Sequence, residues 1–234
     1  VDHSFFFSLA LAGKRRLGAP LLVVAESTAV VPMATSAAPD REPAPSTSEN
    51  VRVAVRVRPF VAKEKLEQQA ACLRVLRAER QVVIGKDRAF TFDHVFGEDG
   101  AQAQVYEEAV APLVEAVMQG YNATVFAYGQ TGSGKTYTMG SGGGTDIAPE
   151  SVGVIPRVVD NLFDALRGRA DTTDCTVRCS YLEIYNEEVK DLLNPRTPSK
   201  SIAIREDATG GIFVTGVQDQ AVESKQELFE SLEA

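Results

Sequence analysis

Alternation of apolar and polar residues is clearest at the start of the region that we expect to fold. From Val51 to Arg58 four valines alternate with other residues, and Pro59 ends the run. Because successive side chains of a strand point to opposite faces, this pattern predicts a strand whose valines share one face. Shorter apolar or alternating runs predict further strands at 81–84, 89–92, 123–128 (apolar enough to be buried), 176–185, 202–205 and 212–217.

Three segments place apolar residues at the three- and four-residue spacing of a helix. They are 102–119, 156–167 and 224–233. Pro112 lies inside the first segment and should bend or restart that helix, because proline lacks the N–H that an interior position donates. Ser224 and Glu227 have the spacing of a capping box at the start of the third. Strand and helix segments alternate along the chain without an internal repeat, which predicts an α/β fold.

The first 49 residues lack these patterns. The residues that follow Met33, up to 48, are rich in Ala, Pro and Ser, and cannot bury enough apolar surface to offset the entropy of ordering them. Residues 1–32 show no periodicity, and Met33 is the first methionine, which favours a native start there. We therefore expect a disordered, dispensable leader at 1–49 and one folded domain over 50–234.

Composition narrows the class of partner. The 234 residues carry 24 Lys and Arg against 32 Asp and Glu, a formal net charge of −8. The chain as a whole should therefore repel nucleic acids and other polyanions. No run of about 18 apolar residues predicts a membrane span, and the apolar run at 5–12 lacks the preceding basic residues of a signal peptide. The sequence predicts neither a nucleic-acid partner nor a membrane partner.

Neither the cysteines nor His94 predict a metal site. Three cysteines cannot build a disulfide framework, and we interpret them as reduced, intracellular thiols. Cys175 and Cys179 have C-x-x-x-C spacing, but no second Cys/His pair accompanies them, which favours strand packing over zinc binding. His94 has aromatic and aliphatic neighbours and is interpreted as a packing residue.

One segment predicts phosphate binding. Residues 129–136 fit the P-loop pattern G-x-x-x-x-G-K-[ST] between an apolar strand and a helix. They are Gly129, Gln130, Thr131, Gly132, Ser133, Gly134, Lys135 and Thr136. Glycines let backbone N–H groups surround phosphate oxygens without a Cβ in the way. The pattern assigns Lys135 to the β- and γ-phosphates and the Thr136 hydroxyl to Mg²⁺. The P-loop by itself leaves small GTPases, nucleotide kinases, helicases and motor ATPases open.

The residues around this P-loop resemble the kinesin motor domain. Five motifs of that family occur in the family's order. They are R-x-R-P at 56–59, F-D-x-V-F at 92–96, the P-loop with its flanks at 121–139, G-[VI]-I-P-R at 153–157 and S-x-x-E-I-Y-N-E-x-[VI]-x-D-L-L at 180–193. No N-K-x-D guanine motif is present, which argues against a GTPase. Residues 151–157 and 202–207 look most like the chromokinesin-type subfamily.

The resemblance implies the P-loop NTPase fold of kinesin motors, with a central, mostly β-sheet layer flanked by helices and incomplete here on its C-terminal side. It implies ATP and Mg²⁺ as ligands. Arg56 and Pro59 match positions that line the adenine, and Tyr137 matches the position whose aromatic or His side chain stacks on the base. Arg196 and Lys200 lie in a segment that corresponds to a loop approaching tubulin.

The resemblance also implies that the complete protein is a microtubule-dependent ATPase of the cytoplasm and the microtubule cytoskeleton. Residues 50–234 match a little over half of such a domain, and neither switch motif, N-x-x-S-S-R-S-H or D-L-A-G-S-E, occurs in them. Because those motifs position the attacking water, we expect the 234 residues alone neither to hydrolyse ATP at a motor's rate nor to bind microtubules tightly. The alternative is a truncated pseudo-motor that binds a nucleotide or a protein partner. Cargo, direction of travel and oligomeric state depend on segments outside these residues.

Overall fold

The computed structural model of the chain describes residues 5–11, 22–28, 51–140, 148–170, 174–208 and 212–233. They belong to two compact units, each of which is described by itself. The smaller unit comprises the described part of Val30–Gly100, and the larger unit comprises the described parts of Val1–Ala29 and Ala101–Ala234.

Fourteen strands and six α-helices are described. The strands are β1 Phe5–Leu11, β2 Leu22–Thr28, β3 Ala54–Arg56, β4 Leu73–Leu76, β5 Gln81–Ile84, β6 Arg88–Thr91, β7 His94–Phe96, β8 Ala123–Ala127, β9 Asp174–Ser180, β10 Leu182–Tyr185, β11 Glu188–Asp191, β12 Ala203–Glu206, β13 Ile212–Thr215 and β14 Gln220–Val222. The helices are α1 Ala62–Leu66, α2 Gln102–Ala109, α3 Ala111–Met118, α4 Lys135–Met139, α5 Val154–Arg167 and α6 Lys225–Glu233. Short 3-10 turns lie at Pro149–Ser151 and Ser199–Ser201.

In the smaller unit, the strand predicted at 51–58 is real but shorter, covering only Ala54–Arg56. It pairs in parallel with β7, which has three residues and so limits the ladder. Before the ladder starts, Val53 donates its backbone N–H to the Asp93 carboxylate at 2.8 Å. The valines at the beginning of the alternating run are consequently exposed.

The remaining strands of the smaller unit form an antiparallel sheet in the order β4-β5-β6. The strands predicted at 81–84 and 89–92 are confirmed to within one residue. The turn between β5 and β6 contains Gly85 at φ +65°, a left-handed conformation that glycine adopts without steric cost.

The larger unit contains a five-stranded sheet in the order β14-β9-β2-β1-β8. Strands β1 and β2 run parallel to each other, while β1 pairs antiparallel with β8 and β2 pairs antiparallel with β9. The expectation of a disordered leader is therefore wrong for Phe5–Leu11 and Leu22–Thr28. These runs include Phe, Leu and Val, residues that fit a pleated sheet when neighbouring strands pair with them. The rest of residues 1–50 lies outside the described residues, and there the expectation stays a prediction.

Strand β8 forms where predicted but is not buried, which corrects the sequence-based expectation. Its residues alternate between half-buried and exposed, and Phe126 is 49% exposed. Strand β8 ends the strand order of the described sheet, and its two exposed residues, Thr124 and Phe126, lie on the same face of the strand. The ring of Phe126 stacks on that of Tyr128, at 6.2 Å between centroids.

Helices α2, α3 and α5 form the apolar core beside this sheet. The segment predicted as one helix with a break at Pro112 is two helices, as expected: α2 ends with the Val110 N–H bonded to Tyr106, and Pro112 lies in the first turn of α3. Buried valines and a leucine from the three helices, together with the residue between α2 and α3, fill the space between them. They are Val105, Val110, Val114, Val117, Val158, Val159 and Leu162.

The strand predicted over 176–185 is interrupted at Tyr181, whose carbonyl accepts the Leu192 N–H at 2.8 Å. Strand β9 therefore joins the five-stranded sheet, whereas β10 pairs with β11 in a separate hairpin. Asn186 and Glu187 form the hairpin turn at positive φ. This two-residue loop has the backbone twist that tight hairpins favour. Strands β12 and β13 form a second hairpin near the predicted positions.

The last helix begins as predicted. The Ser224 hydroxyl accepts the backbone N–H of Glu227 at 3.1 Å, and the Glu227 carboxylate accepts the N–H of Glu223 at 2.8 Å. The return bond of the capping box thus goes one residue earlier than expected. With strands and helices in both sequence halves, the α/β prediction is confirmed. None of the helices among the described residues is long and apolar enough to cross a membrane.

Candidate functional site

The P-loop connects β8 to α4 through a turn that only glycine-rich sequence can form. Gly129, Gly132 and Gly134 have φ angles of +154°, +79° and +99°, which side chains with a Cβ rarely adopt. A Cβ on Gly129 would lie 2.5 Å from the Ser133 hydroxyl oxygen, whereas a Cβ on Gly132 or Gly134 would meet no atom within 4 Å. The loop therefore needs glycine for backbone conformation at all three positions and for space at the first.

Lys135 folds its ammonium group over this turn. It donates to the carbonyl of Gly129 and, at 3.2 Å, to that of Gln130. A further bond runs from the Ser133 N–H to the Gln130 carbonyl at 3.0 Å. The positive charge is thus placed at the turn whose backbone would enclose a phosphate, where it would neutralise phosphate oxygens.

The next two side chains are open to solvent. Thr136 is exposed on the first turn of α4, and the Tyr137 ring is 54% exposed. An exposed hydroxyl can reach a metal ion, and an exposed ring next to a phosphate site can stack on a nucleobase. All nine P-loop and flanking residues predicted as ligands, 129–137, therefore lie in one continuous segment of the larger unit.

Helix α4 is short, and contacts with residues beyond the helix fix the position of its C-terminal end. Met139 is buried at its end, and the backbone of Gly140 lies directly against that of Gly153. A Cβ on Gly140 would lie 2.8 Å from the Gly153 Cα, and a Cβ on Gly153 would collide with the Gly140 backbone. The two glycines fix the point where the chain leaves α4 beside the point where it enters α5.

These residues fit a nucleotide phosphate group with Mg²⁺. The turn is wide open at Gly132 and Gly134, Lys135 carries the positive charge, and Thr136 offers a hydroxyl oxygen. No group of three or more His, Cys, Asp and Glu among the described residues could hold a metal ion on its own. In P-loop sites Mg²⁺ is bound by the Ser or Thr hydroxyl together with phosphate oxygens, and Thr136 would hold it here.

The predicted adenine contacts Arg56 and Pro59 belong to the smaller unit. The Arg56 guanidinium donates to the carbonyl of Gly100 at 2.8 Å, and Pro59 is exposed. Tyr137 belongs to the larger unit, and the role of Arg56 and Pro59 toward a base bound there stays a prediction. The same holds for Arg196 and Lys200, which are both exposed between β11 and β12.

The other arginine of the R-x-R-P motif has a structural partner. Arg58 makes two bonds to the Glu64 carboxylate, at 2.6 and 2.8 Å, and the same carboxylate accepts the Val61 N–H at the start of α1. The Arg58 bond, followed by the Val61 bond, lowers the pKa of Glu64 to about 2. Arg58 therefore fixes the turn that follows Pro59.

Sequence reasoning missed two buried polar side chains that hold loops of the larger unit. Gln102, 2% exposed, donates to the carbonyls of Tyr137 and Ser151. Asp191, 1% exposed, accepts the N–H groups of Leu193, Asn194 and Gln218. The sequence gives only weak signals for these two residues. Gln102 lies three residues before the buried Val105 and four before the buried Tyr106, which is the spacing of one helix face. Asp191 accepts the N–H two residues later, which is the pattern of an Asx turn.

The family profile described as the kinesin motor domain matches residues 56–234. Human kinesin-like protein KIF27 is 45% identical over 183 residues, which are 78% of this chain and 13% of that protein. Mouse kinesin-like protein KIF7 is 46% identical over 183 residues, with 78% of this chain and 14% of that protein covered. The chain therefore spans a small part of the length of these relatives.

A solved structure gives the same result for the fold. The structure of a fast kinesin, described for its ATPase mechanism and its interactions with microtubules, superposes with a TM-score of 0.71 at 34% sequence identity. The superposition covers 78% of this chain and 51% of the fast kinesin chain. About half of that solved chain thus has a counterpart here.

Proposed function

The chain belongs to the kinesin motor domain family, and from this premise we propose that residues 129–137 bind ATP together with Mg²⁺. The backbone of 129–134 would surround the phosphates, Lys135 would contact the β- and γ-phosphates, Thr136 would ligate the metal ion and Tyr137 would stack on the base. The observation that carries this proposal is the turn itself, with its three positive-φ glycines and the Lys135 ammonium folded over it.

Nucleotide binding requires Lys135 to exchange partners. Its bonds to the Gly129 and Gln130 carbonyls would give way to bonds to anionic phosphate oxygens, which are stronger because both partners are charged. Mg²⁺ supplies charge neutralisation between the phosphates when it is bound. The protein's own contribution is to keep the ammonium group and the loop N–H groups at one place before the nucleotide arrives.

We further propose that the complete protein hydrolyses ATP and couples hydrolysis to movement on microtubules in the cytoplasm. Support comes from the family match and from the fast kinesin, whose structure was described for its ATPase mechanism and its interactions with microtubules. The pseudo-motor alternative makes the opposite prediction, namely nucleotide or partner binding without microtubule-stimulated turnover by the complete protein. The assignment to the chromokinesin-type subfamily stays a prediction.

The test of the binding site is titration of a fluorescent ATP analogue into the 234-residue chain with Mg²⁺. We expect Lys135→Ala to lower the affinity at least tenfold, because it removes the positive charge on the phosphates. Lys190→Ala is the matched control, since this lysine pairs with Glu183 on a hairpin outside the P-loop. Equal affinity of wild type and Lys135→Ala would refute the proposed site.

The metal ligand is tested in the same titration. Removing Mg²⁺ with EDTA should weaken binding to wild type, and Thr136→Ala should bind weakly with or without the metal. Thr136→Ser keeps the hydroxyl and should restore the response to Mg²⁺. A Thr136→Ala protein that still responds fully to Mg²⁺ would show that another residue holds the ion.

The motor activity is tested by ATP turnover with and without microtubules. For the 234 residues alone we expect no stimulation, because the two switch motifs do not occur in them. For the complete protein we expect stimulation that Lys135→Ala abolishes. A complete protein that binds ATP but shows no stimulation would support the pseudo-motor alternative.

A further inference from the structure

Gln102 opens α2, far from the P-loop in sequence, but its side chain contacts the segment that follows the P-loop. Its amide nitrogen donates to the Tyr137 carbonyl at 2.6 Å and to the Ser151 carbonyl at 3.1 Å. With 2% of its surface exposed, it is among the most buried polar residues of the described chain. Burying an amide is unfavourable unless its hydrogen bonds are made. The bonds to the Tyr137 and Ser151 carbonyls compensate for the burial of the Gln102 side chain.

The Tyr137 carbonyl lies in the last turn of helix α4. Helix α4 ends at Met139, and its last described backbone bond runs from the Gly140 N–H to the Thr136 carbonyl. Carbonyls of a final helical turn lack partners within the helix. Gln102 supplies one at Tyr137, two residues after the P-loop lysine, and so fixes the main chain from which the Tyr137 side chain projects.

The second bond, from the Gln102 amide to the Ser151 carbonyl, fixes the chain just before α5. Ser151 ends the 3-10 turn just before α5, so one amide group joins the chain where it leaves α4 to the chain where it approaches α5. A glutamine amide suits this task because its NH₂ group has two donors for two carbonyls. A glutamate would place negative oxygens against the same carbonyls.

We propose that Gln102 is a positioning residue for base recognition: by holding the main chain at Tyr137 and Ser151, it sets the orientation of the exposed Tyr137 ring toward the base of the bound nucleotide. This rests on the proposed ATP site. Both bonds of Gln102 lie on the C-terminal side of Lys135 and Thr136, and one is made at the residue whose side chain would stack on the base, so we expect Gln102 to contribute to the base part of the affinity.

The test separates base from phosphate by using two ligands, ATP and inorganic tripolyphosphate, each with Mg²⁺. Gln102→Met keeps an unbranched side chain of similar volume and removes both donors. We expect Gln102→Met to weaken ATP binding roughly 5- to 20-fold, an effect comparable to the free energy lost when a buried hydrogen bond is removed. Binding of tripolyphosphate should change by no more than about twofold. Gln104→Met is the matched control, because Gln104 on the same helix bonds only locally to Glu108 in its described contacts.

Action through Tyr137 is tested by a double mutant. Tyr137→Ala should lower ATP affinity selectively, and Gln102→Met should add little in that background, since both substitutions remove the same interaction. The protein contains no tryptophan, so Tyr137→Trp creates a single fluorescent reporter at the site. We expect ATP to quench its emission, and Gln102→Met to reduce this quenching at saturating ATP.

Each outcome decides one question. Equal losses for ATP and tripolyphosphate in Gln102→Met, or additive losses with Tyr137→Ala, would refute the positioning role. A wild-type chain that binds neither ligand would instead refute the proposed ATP site. If Gln102→Met does not fold, Gln102→Asn carries the same test, because it keeps the amide on a side chain one methylene shorter and should produce a smaller but still ATP-selective loss.

Discussion

The loop after β8, which is the P-loop, and the loop after β11 are built in opposite ways. In the P-loop, Lys135 bonds to two carbonyls of the turn itself, and the side chains of Gln130 and Thr131 are exposed. In the loop after β11, one buried carboxylate, Asp191, accepts three backbone N–H groups, from Leu193, Asn194 and Gln218.

The difference follows from what each loop must do. Hydrogen bonds accepted by a buried carboxylate are strong, and water does not readily replace them, so the three bonds to Asp191 restrict the loop after β11. Hydrogen bonds within an exposed loop contribute little net free energy because water competes for the same groups, and they can be exchanged for bonds to a ligand. A binding loop and a structural loop can therefore contain similar numbers of hydrogen bonds and differ in which of them a ligand can replace.

The largest effect should come from removing β1 and β2, the two strands that lie between β8 and β9 in the five-stranded sheet. A chain that starts at Met33 lacks β1 and β2, through which β8 and β9 belong to the same sheet. We expect it to lose about 5 kcal/mol or more, the lower end of the stability of a typical domain, and to lose cooperative unfolding. The measurement is urea unfolding followed by circular dichroism.

Alkylation of the cysteine thiols is a second measurement of how the truncation affects the folded sheet. Cys179 on β9 lies opposite β2 and is fully buried, and burial raises its pKa to about 11. In the full chain it should resist alkylation at pH 8, and in the truncated chain it should react. Cys72, exposed in the smaller unit, should react in both and is the internal control. Identical unfolding and labelling of both chains would restore the prediction that the leader is dispensable.

The second largest effect concerns the structural loop. Asp191→Ala leaves three part-buried N–H groups without their acceptor, and we expect a loss of roughly 3 kcal/mol in the free energy of unfolding. Asp191→Asn keeps one acceptor oxygen and should lose about half as much. Asp219→Ala is the control: its carboxylate is 40% exposed in its ion pair with Arg178, and exposed pairs contribute about 1 kcal/mol or less. Equal losses at the two positions would contradict the comparison.

The binding loop should respond more weakly in stability than in ligand affinity. Gly132→Ala meets no atom but must adopt φ near +79°, which costs about 1–2 kcal/mol for a residue with a Cβ. Gly129→Ala adds a collision with the Ser133 hydroxyl and should cost more. Adding Ser133→Ala should recover only the collision part. Thermal unfolding with and without ATP measures both quantities, and a Gly129→Ala protein as stable as Gly132→Ala would contradict the geometry.

The smallest expected effect concerns a partly exposed carboxylate in the smaller unit. Arg58 and the Val61 N–H lower the pKa of Glu64 to about 2, so its folded pKa is below its unfolded value near 4.5. This contribution to stability is complete above the unfolded pKa and is lost as the pH falls from about 4.5 toward 2. Glu64→Gln should flatten that part of the stability curve by a small amount. An unchanged pH dependence would show that the pair contributes nothing measurable.

Local signals in the sequence were enough for the elements that depend on neighbouring residues. The P-loop, the break at Pro112 and the cap at Ser224 could all be predicted because each involves contacts within a few positions. The roles of Gln102 and Asp191 could not, since their partners lie up to 49 and 27 residues away. The position of β8 at the end of the sheet could not be predicted either, because a run of apolar residues does not indicate how many strands will pair with it.

The contact between Gly140 and Gly153 has a consequence for protein engineering. The backbones of Gly140 and Gly153 lie directly against each other, so the end of α4 and the start of α5 are held together. The entropy of closing a chain segment grows only slowly with its length, by about 0.6 kcal/mol for each doubling. A peptide tag or fluorescent label inserted between 141 and 147 should therefore be tolerated, which offers an attachment point for single-molecule work that leaves both chain termini untouched.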